Sequence, residues 1–278
     1  GTIIFVTISL VIPIDKIIMS FSRELPAAQI ANLHTLFNVA TSLLLFPFSR
    51  KLADLSFKII PGIDKEQEEM SLQFINKNVV KDAPATFTDV KAEIRRLLEI
   101  VNQNYENSVS LLSNFDEEKY DEIFRREKVI NYLNKEISAF IIDALGLAMN
   151  EQTSANFAAY LRISRDMERI GDHSKNIAEV AKLKKDEKLE FTDMTFEELK
   201  EINQVIYKMF DAAVGELDRD QRVAFMRSSN ELVQKEASQF RNNHMLRMRE
   251  KICNPESGLL YEKTLAAMER ISSYISNA

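Results

Sequence analysis

Asp166-Met167-Glu168-Arg169-Ile170-Gly171-Asp172-His173-Ser174-Lys175-Asn176-Ile177-Ala178-Glu179 carries both an apolar seam and an acidic line at helical spacing. Taken as a helix, it sets Glu168, Asp172 and Asn176 at i, i+4 and i+8, so three oxygen-bearing side chains share one side. Ile163, Met167, Ile170, Ser174, Ile177 and Ala181 recur in steps of four and three, the pattern of a helix-bundle seam. With that seam turned to a core, the Glu168–Asp172–Asn176 line faces solvent, a groove or a ligand.

The composition agrees with a helical protein. Only 6 Gly and 6 Pro are spread among many Leu, Ile, Glu and Lys. The chain has 36 basic against 42 acidic residues and no long Lys/Arg tract, which argues against nucleic acid as a partner. A single cysteine, Cys253, excludes an intramolecular disulfide and suits a reducing compartment.

From Asp64 onward the chain is charged and periodic, with breakers at Pro84, around Asn150, at Lys184–Lys188 and at Asn254-Pro255. Between them the periodicity predicts helices over roughly 86–113, 116–149, 152–183, 195–216, 219–252 and 257–277, with a connecting helix over 64–82. The two halves of this region repeat. Asn134-Lys135-Glu136-Ile137-Ser138-Ala139-Phe140 matches Gln234-Lys235-Glu236-Ala237-Ser238-Gln239-Phe240 at a spacing of 100, and Met167-Glu168-Arg169-Ile170 returns as Met268-Glu269-Arg270-Ile271 at 101. The expectation is two tandem three-helix bundles, residues 63–183 and 184–278, each closed by a copy of the opening motif.

The copies differ in their oxygen donors. Gly171-Asp172-His173 becomes Ser272-Ser273-Tyr274, and Glu127 and Asn131 of the first middle helix become Arg227 and Glu231. If carboxylates hold a cation, the first bundle offers Glu127, Asn131, Glu168, Asp172 and Asn176. The second keeps a degenerate set, Glu231, Glu269 and Asn277. Beside Arg162, Arg165 and Arg169 the same acids also read as a solvated ladder, each pair contributing about 0.3–0.5 kcal/mol.

The N-terminal part has another character. Gly1–Phe21 and Ala27–Phe48 are apolar runs long enough to span a bilayer, although Asp15 and Lys16 would each cost about 2.5–3.5 kcal/mol near its centre. No basic segment precedes the first run and no small-residue cleavage site follows it, so a chain beginning inside a larger protein is expected, not a signal peptide. In the second run His34 and Asn38 share a polar face, read either as interhelical hydrogen bonding or as substrate contact. Arg50, Lys51 and Lys58 then place everything after about residue 50 in the cytoplasm. Residues 1–62 are therefore expected to be the end of a transmembrane domain in the plasma membrane, with the lipid bilayer as partner.

Glu168 to Glu179, Glu-Arg-Ile-Gly-Asp-His followed by Asn-Ile-Ala-Glu, resembles the signature of PhoU-type domains. Gln29–Asn38 with Leu45-Phe46-Pro47-Phe48 is similar to a membrane segment of bacterial sodium/phosphate cotransporters, which join a transport domain to a PhoU-like domain in this order. The resemblance implies paired three-helix bundles whose acidic motifs bind a divalent or trivalent metal. It further implies inorganic phosphate as substrate, sodium as coupling ion, and a homo-oligomer or a phosphate-signalling partner. The Gln-Ser-Ser-Ser motifs of that family's substrate site are absent, so the chain is expected not to transport alone. The other reading is a membrane-tethered, metal-binding regulator of phosphate uptake or signalling that transports nothing.

An enzyme is not expected. Di-iron bundles need Glu-x-x-His on two helices, and no Glu here has His three residues later. His173 beside Asp172 lacks a Ser or Cys nucleophile arrangement. Arg241, His244, Arg247 and Arg249 read as charge favourable to a helix C-terminus, or as a contact for phosphate, anionic lipid or a partner.

Overall fold

The computed structural model describes residues 35, 38, 39, 46, 70–76, 83–146, 150–215 and 218–277. The chain divides into two units, Gly1–Asp64 and Lys65–Ala278. In the second, six α-helices and no strand occur among the described residues: α1 Ala83–Ser113, α2 Glu117–Leu145, α3 Glu151–Asp186, α4 Asp193–Val214, α5 Arg219–Arg249 and α6 Pro255–Asn277.

The helix starts lie where short polar side chains satisfy orphan N–H groups. Asp116 accepts from the N–H of Lys119 at 3.0 Å, Asn150 from Thr153 at 2.8 Å and Thr192 from Thr195 at 3.3 Å. Pro84 and Pro255 both fall in a first turn, where the missing N–H costs nothing, so these breakers begin helices. α3 closes by a double bond pattern: Leu189 N–H donates to Lys184 O at 2.9 Å and Lys188 N–H to Lys185 O at 3.2 Å. Lys188 takes φ 53° to do so, and Lys251 repeats the device after α5 with φ 58°.

Each helix buries one stripe. On α3 the expected seam residues Met167, Ile170, Ser174, Ile177 and Ala181 are buried and Ile163 is half-buried, while Phe157, Ala178 and Val180 join the core beside them. α1, α2 and α3 pack on one another, as do α4, α5 and α6, while α3 also lies along α6. α1 meets α4 through Tyr105, whose hydroxyl and the Oδ1 of Asn203 stand 2.7 Å apart and whose ring lies against Tyr207 and Phe210.

Two expectations change, and two fall on residues that are not described. The described part of the connecting segment, residues 70–76, is not helical. Its N–H groups are taken by a side chain instead of by i−4 carbonyls: Gln73 and Phe74 donate to Glu93 Oε2 at 2.9 and 2.8 Å, and Arg96 donates to Glu93 at 2.7 Å and to Ser71 O at 2.7 Å. The two spans, with His34, lie outside the described residues apart from Thr35, Asn38, Val39 and Phe46. Asn38 is helical and exposed. Among the described residues no helix is long and apolar enough to cross a membrane, which corrects the plasma-membrane placement. In α1 to α6 charged residues return at nearly every turn opposite a single apolar stripe.

Candidate functional site

The opening motif sits at the centre of α3, where two neighbours fix it. One face meets α2. There Gly171 is fully packed, and a Cβ at this position would lie 3.1 Å from Cδ1 and 3.3 Å from Cγ2 of the buried Ile130. The glycine therefore lets α3 approach α2. At the corresponding register of the second copy, Ser272 donates to Asn230 Oδ1 at 2.9 Å, so a polar pair replaces the apolar contact. The other face meets α6, where His173 stacks on Tyr274 with ring centres 5.8 Å apart. These two residues hold equivalent places in the repeated motif, so the copies meet at the same register.

Glu127, Glu168 and Asp172 form a half-buried acidic group on α2 and α3. Burial first, then the like charges of Asp172 and Glu127, raise the Glu168 carboxyl above its usual value, with Arg169 acting the other way. No cation stands within ion-pair distance of Glu168 or Asp172 among the described residues. Asn131 donates to Glu127 at 2.7 Å, holding that carboxylate at the edge of the group. Asn176 lines a different feature, the groove between α3 and α6. The five candidates therefore divide into an acidic trio, an amide that steadies it, and an amide in the groove.

The oxygen donors suit a hard cation in chemistry. In geometry they do not enclose one: among the described residues no three His, Cys, Asp or Glu side chains converge to hold a metal ion.

The second copy carries counter-ions in place of open carboxylates. Arg227 pairs with Glu231 at 3.1 Å on the exposed face of α5. Arg241 grips Glu269 through both terminal nitrogens and reaches Glu262 at 3.1 Å through Nε. Asn277 is exposed at the end of α6. Each degenerate-site carboxylate thus has an arginine of its own.

The basic run on α5 is not a surface patch. Arg241 is spent on Glu269, and Arg247 is buried in a fork with Glu198 at 2.8 and 2.6 Å. Tyr261 adds its hydroxyl to the same carboxylate at 2.8 Å, tying α4, α5 and α6 together. His244 packs on the Tyr261 ring, and burial followed by Arg247 lowers its pKa. Of the four, Arg249 alone is exposed. Neither the Arg241 clamp nor the Arg247 fork was read in advance. The signal available was Glu198, an acid in the apolar stripe of α4 between Thr195 and Ile202.

An all-α pair of packed bundles with an acidic group on its central helix defines a class. The protein-family model described as the PhoU domain matches residues 94–181, from α1 to α3, so the chain carries a PhoU-like domain. A phosphate-specific transport system accessory protein PhoU homolog 1 from Thermotoga maritima is 26% identical over 194 residues, covering 68% of this chain and 82% of its own. The crystal structure of PhoU from Pseudomonas aeruginosa shares the fold at TM-score 0.63 and 19% identity, over 70% of this chain and 94% of that one. That of the phosphate transport system regulatory protein PhoU from Streptococcus pneumoniae does so at TM-score 0.62 and 16% identity, over 70% and 92%.

Proposed function

We propose that this chain regulates phosphate transport as a non-transporting PhoU-like protein. The observation that carries the reading is the match of α1 to α3 to the PhoU domain. The Thermotoga maritima relative, named as an accessory protein of a phosphate-specific transport system, supports it. The reading as a sodium/phosphate cotransporter drew on residues 29–48, nearly all of them outside the described residues.

The open acidic trio Glu127, Glu168 and Asp172 is the face through which we expect regulation to act. The three side chains do not converge on one point as they stand, so a metal ion would bind there only as they turned toward it, adding a positive charge against the burial and like charges that raise Glu168. Metal analysis of the purified chain tests this part. Metal content should fall in Glu168→Ala/Asp172→Ala and stay unchanged in Glu231→Ala, whereas equal content in all three proteins removes the assignment.

The regulatory reading is tested by uptake of radiolabelled phosphate in source cells lacking the gene, with and without the chain restored. Restoring it should change the uptake rate at high external phosphate. Identical rates would sink the proposal. Replacing sodium by potassium in the same assay reports whether sodium drives the transport being regulated.

A further inference from the structure

The groove between α3 and α6 encloses about 560 Å³ and is bordered by His173, Asn176 and Glu179 on one side and Lys263, Ala267 and Arg270 on the other. Lys263 and Arg270 are seven residues apart on α6, so both cations point along one stripe. Neither has an ion-pair partner among the described residues. Their near neighbour Glu262 is turned to Arg241 at 3.1 Å and leaves the groove without its charge. Among the described residues Glu179 is the one carboxylate lining the groove, and its charge also acts on Tyr120 of α2.

The internal duplication supplies an independent comparison. At the spacing of 101, Lys263, Ala267 and Arg270 correspond to Arg162, Asp166 and Arg169 on α3. On α3 the carboxylate of Asp166 lies within electrostatic reach of Arg162, Arg165 and Arg169. On α6 alanine stands where that carboxylate would be. One copy thus carries its own counter-ion and the other leaves two cations and an open volume.

We infer that the α3–α6 groove is a binding site for a phosphate-class oxyanion, with Lys263 and Arg270 as its cationic ligands and Asn176 and His173 as donors from the facing helix. Charge-assisted bonds from an ammonium and a guanidinium are the usual means of holding such a group. The volume falls within the range of ordinary ligand pockets, so a free anion or the phosphoryl end of a monoester fits the same chemistry. The His173 ring stacks on Tyr274 at the edge of the groove. The inference follows from charge and shape and does not depend on the regulatory reading.

Calorimetric titration of the 278-residue chain with inorganic phosphate, and separately with glycerol 3-phosphate, tests it. Binding of either probe is expected, weakened at least about tenfold in Lys263→Ala/Arg270→Ala, equivalent to about 1.4 kcal/mol, and kept in the remote Arg227→Ala control. Phosphate alone binding marks a free anion as ligand, and both binding marks the phosphoryl group; each supports the site. Absence of binding by both probes overturns it, as does equal affinity in wild type and the double variant.

Discussion

At Gly171 the missing side chain sets how closely α3 and α2 pack, and the second copy solves the same register with Ser272 and Asn230. Gly171→Ala gains helix propensity of about 1 kcal/mol but drives a methyl into Ile130, and overpacking in a buried seam costs about 1–3 kcal/mol. Net destabilisation is expected by chemical denaturation. Ile130→Val removes the Cδ1 atom at 3.1 Å, so the double variant should be more stable than the sum of the single changes predicts. Glu198→Gln leaves Arg247 buried without its charge partner and should cost about 3–5 kcal/mol in the same measurement. Glu168 behaves oppositely. Its carboxyl is raised, so the folded chain holds that proton more tightly than the unfolded chain, and its contribution to stability falls as pH rises above the usual 4.5. Glu168→Gln should raise the melting temperature at neutral pH and flatten the profile just above pH 4.5. The acidic line itself was legible from i, i+4 spacing. What spacing did not give was which way Asn176 turns, because that depends on α6, a helix about 90 residues further along the chain.

At the scale of the helix, legibility follows the strength of the local signal. All six helices lie within a few residues of the expected bounds, because caps such as Asp116 and Asn150 and first-turn prolines act within one turn. The segment at 70–76 was misread because its backbone is organised by Glu93, twenty residues from Gln73, and no helical period records such a bond. Lys188 marks a further limit, since a lysine with positive φ closes α3 where glycine is the usual residue. Lys188→Gly should stabilise the chain by about 1 kcal/mol in thermal or chemical unfolding. An unchanged or lowered stability would mean that the lysine side chain offsets the backbone cost.

At the scale of the molecule, duplication explains both the architecture and its asymmetry. Two copies of one motif meet at α3 and α6, with His173 on Tyr274. The first keeps an open acidic group, and in the second Arg227 and Arg241 occupy Glu231 and Glu269. That difference was visible in the sequence as the exchange of Glu127 for Arg227 and of Asp172 for Ser273. The clamp by Arg241 was not, since it joins helices through residues 28 apart. If the chain regulates phosphate transport as proposed, the first bundle's acidic face is where that regulation acts. The most direct test is phosphate uptake in cells that lack the gene and are supplied with wild type, Glu168→Lys/Asp172→Lys or Glu231→Lys. The account predicts wild-type uptake with Glu231→Lys and the uptake of the gene-deleted cells with the double variant. Full regulation by the double variant would contradict it.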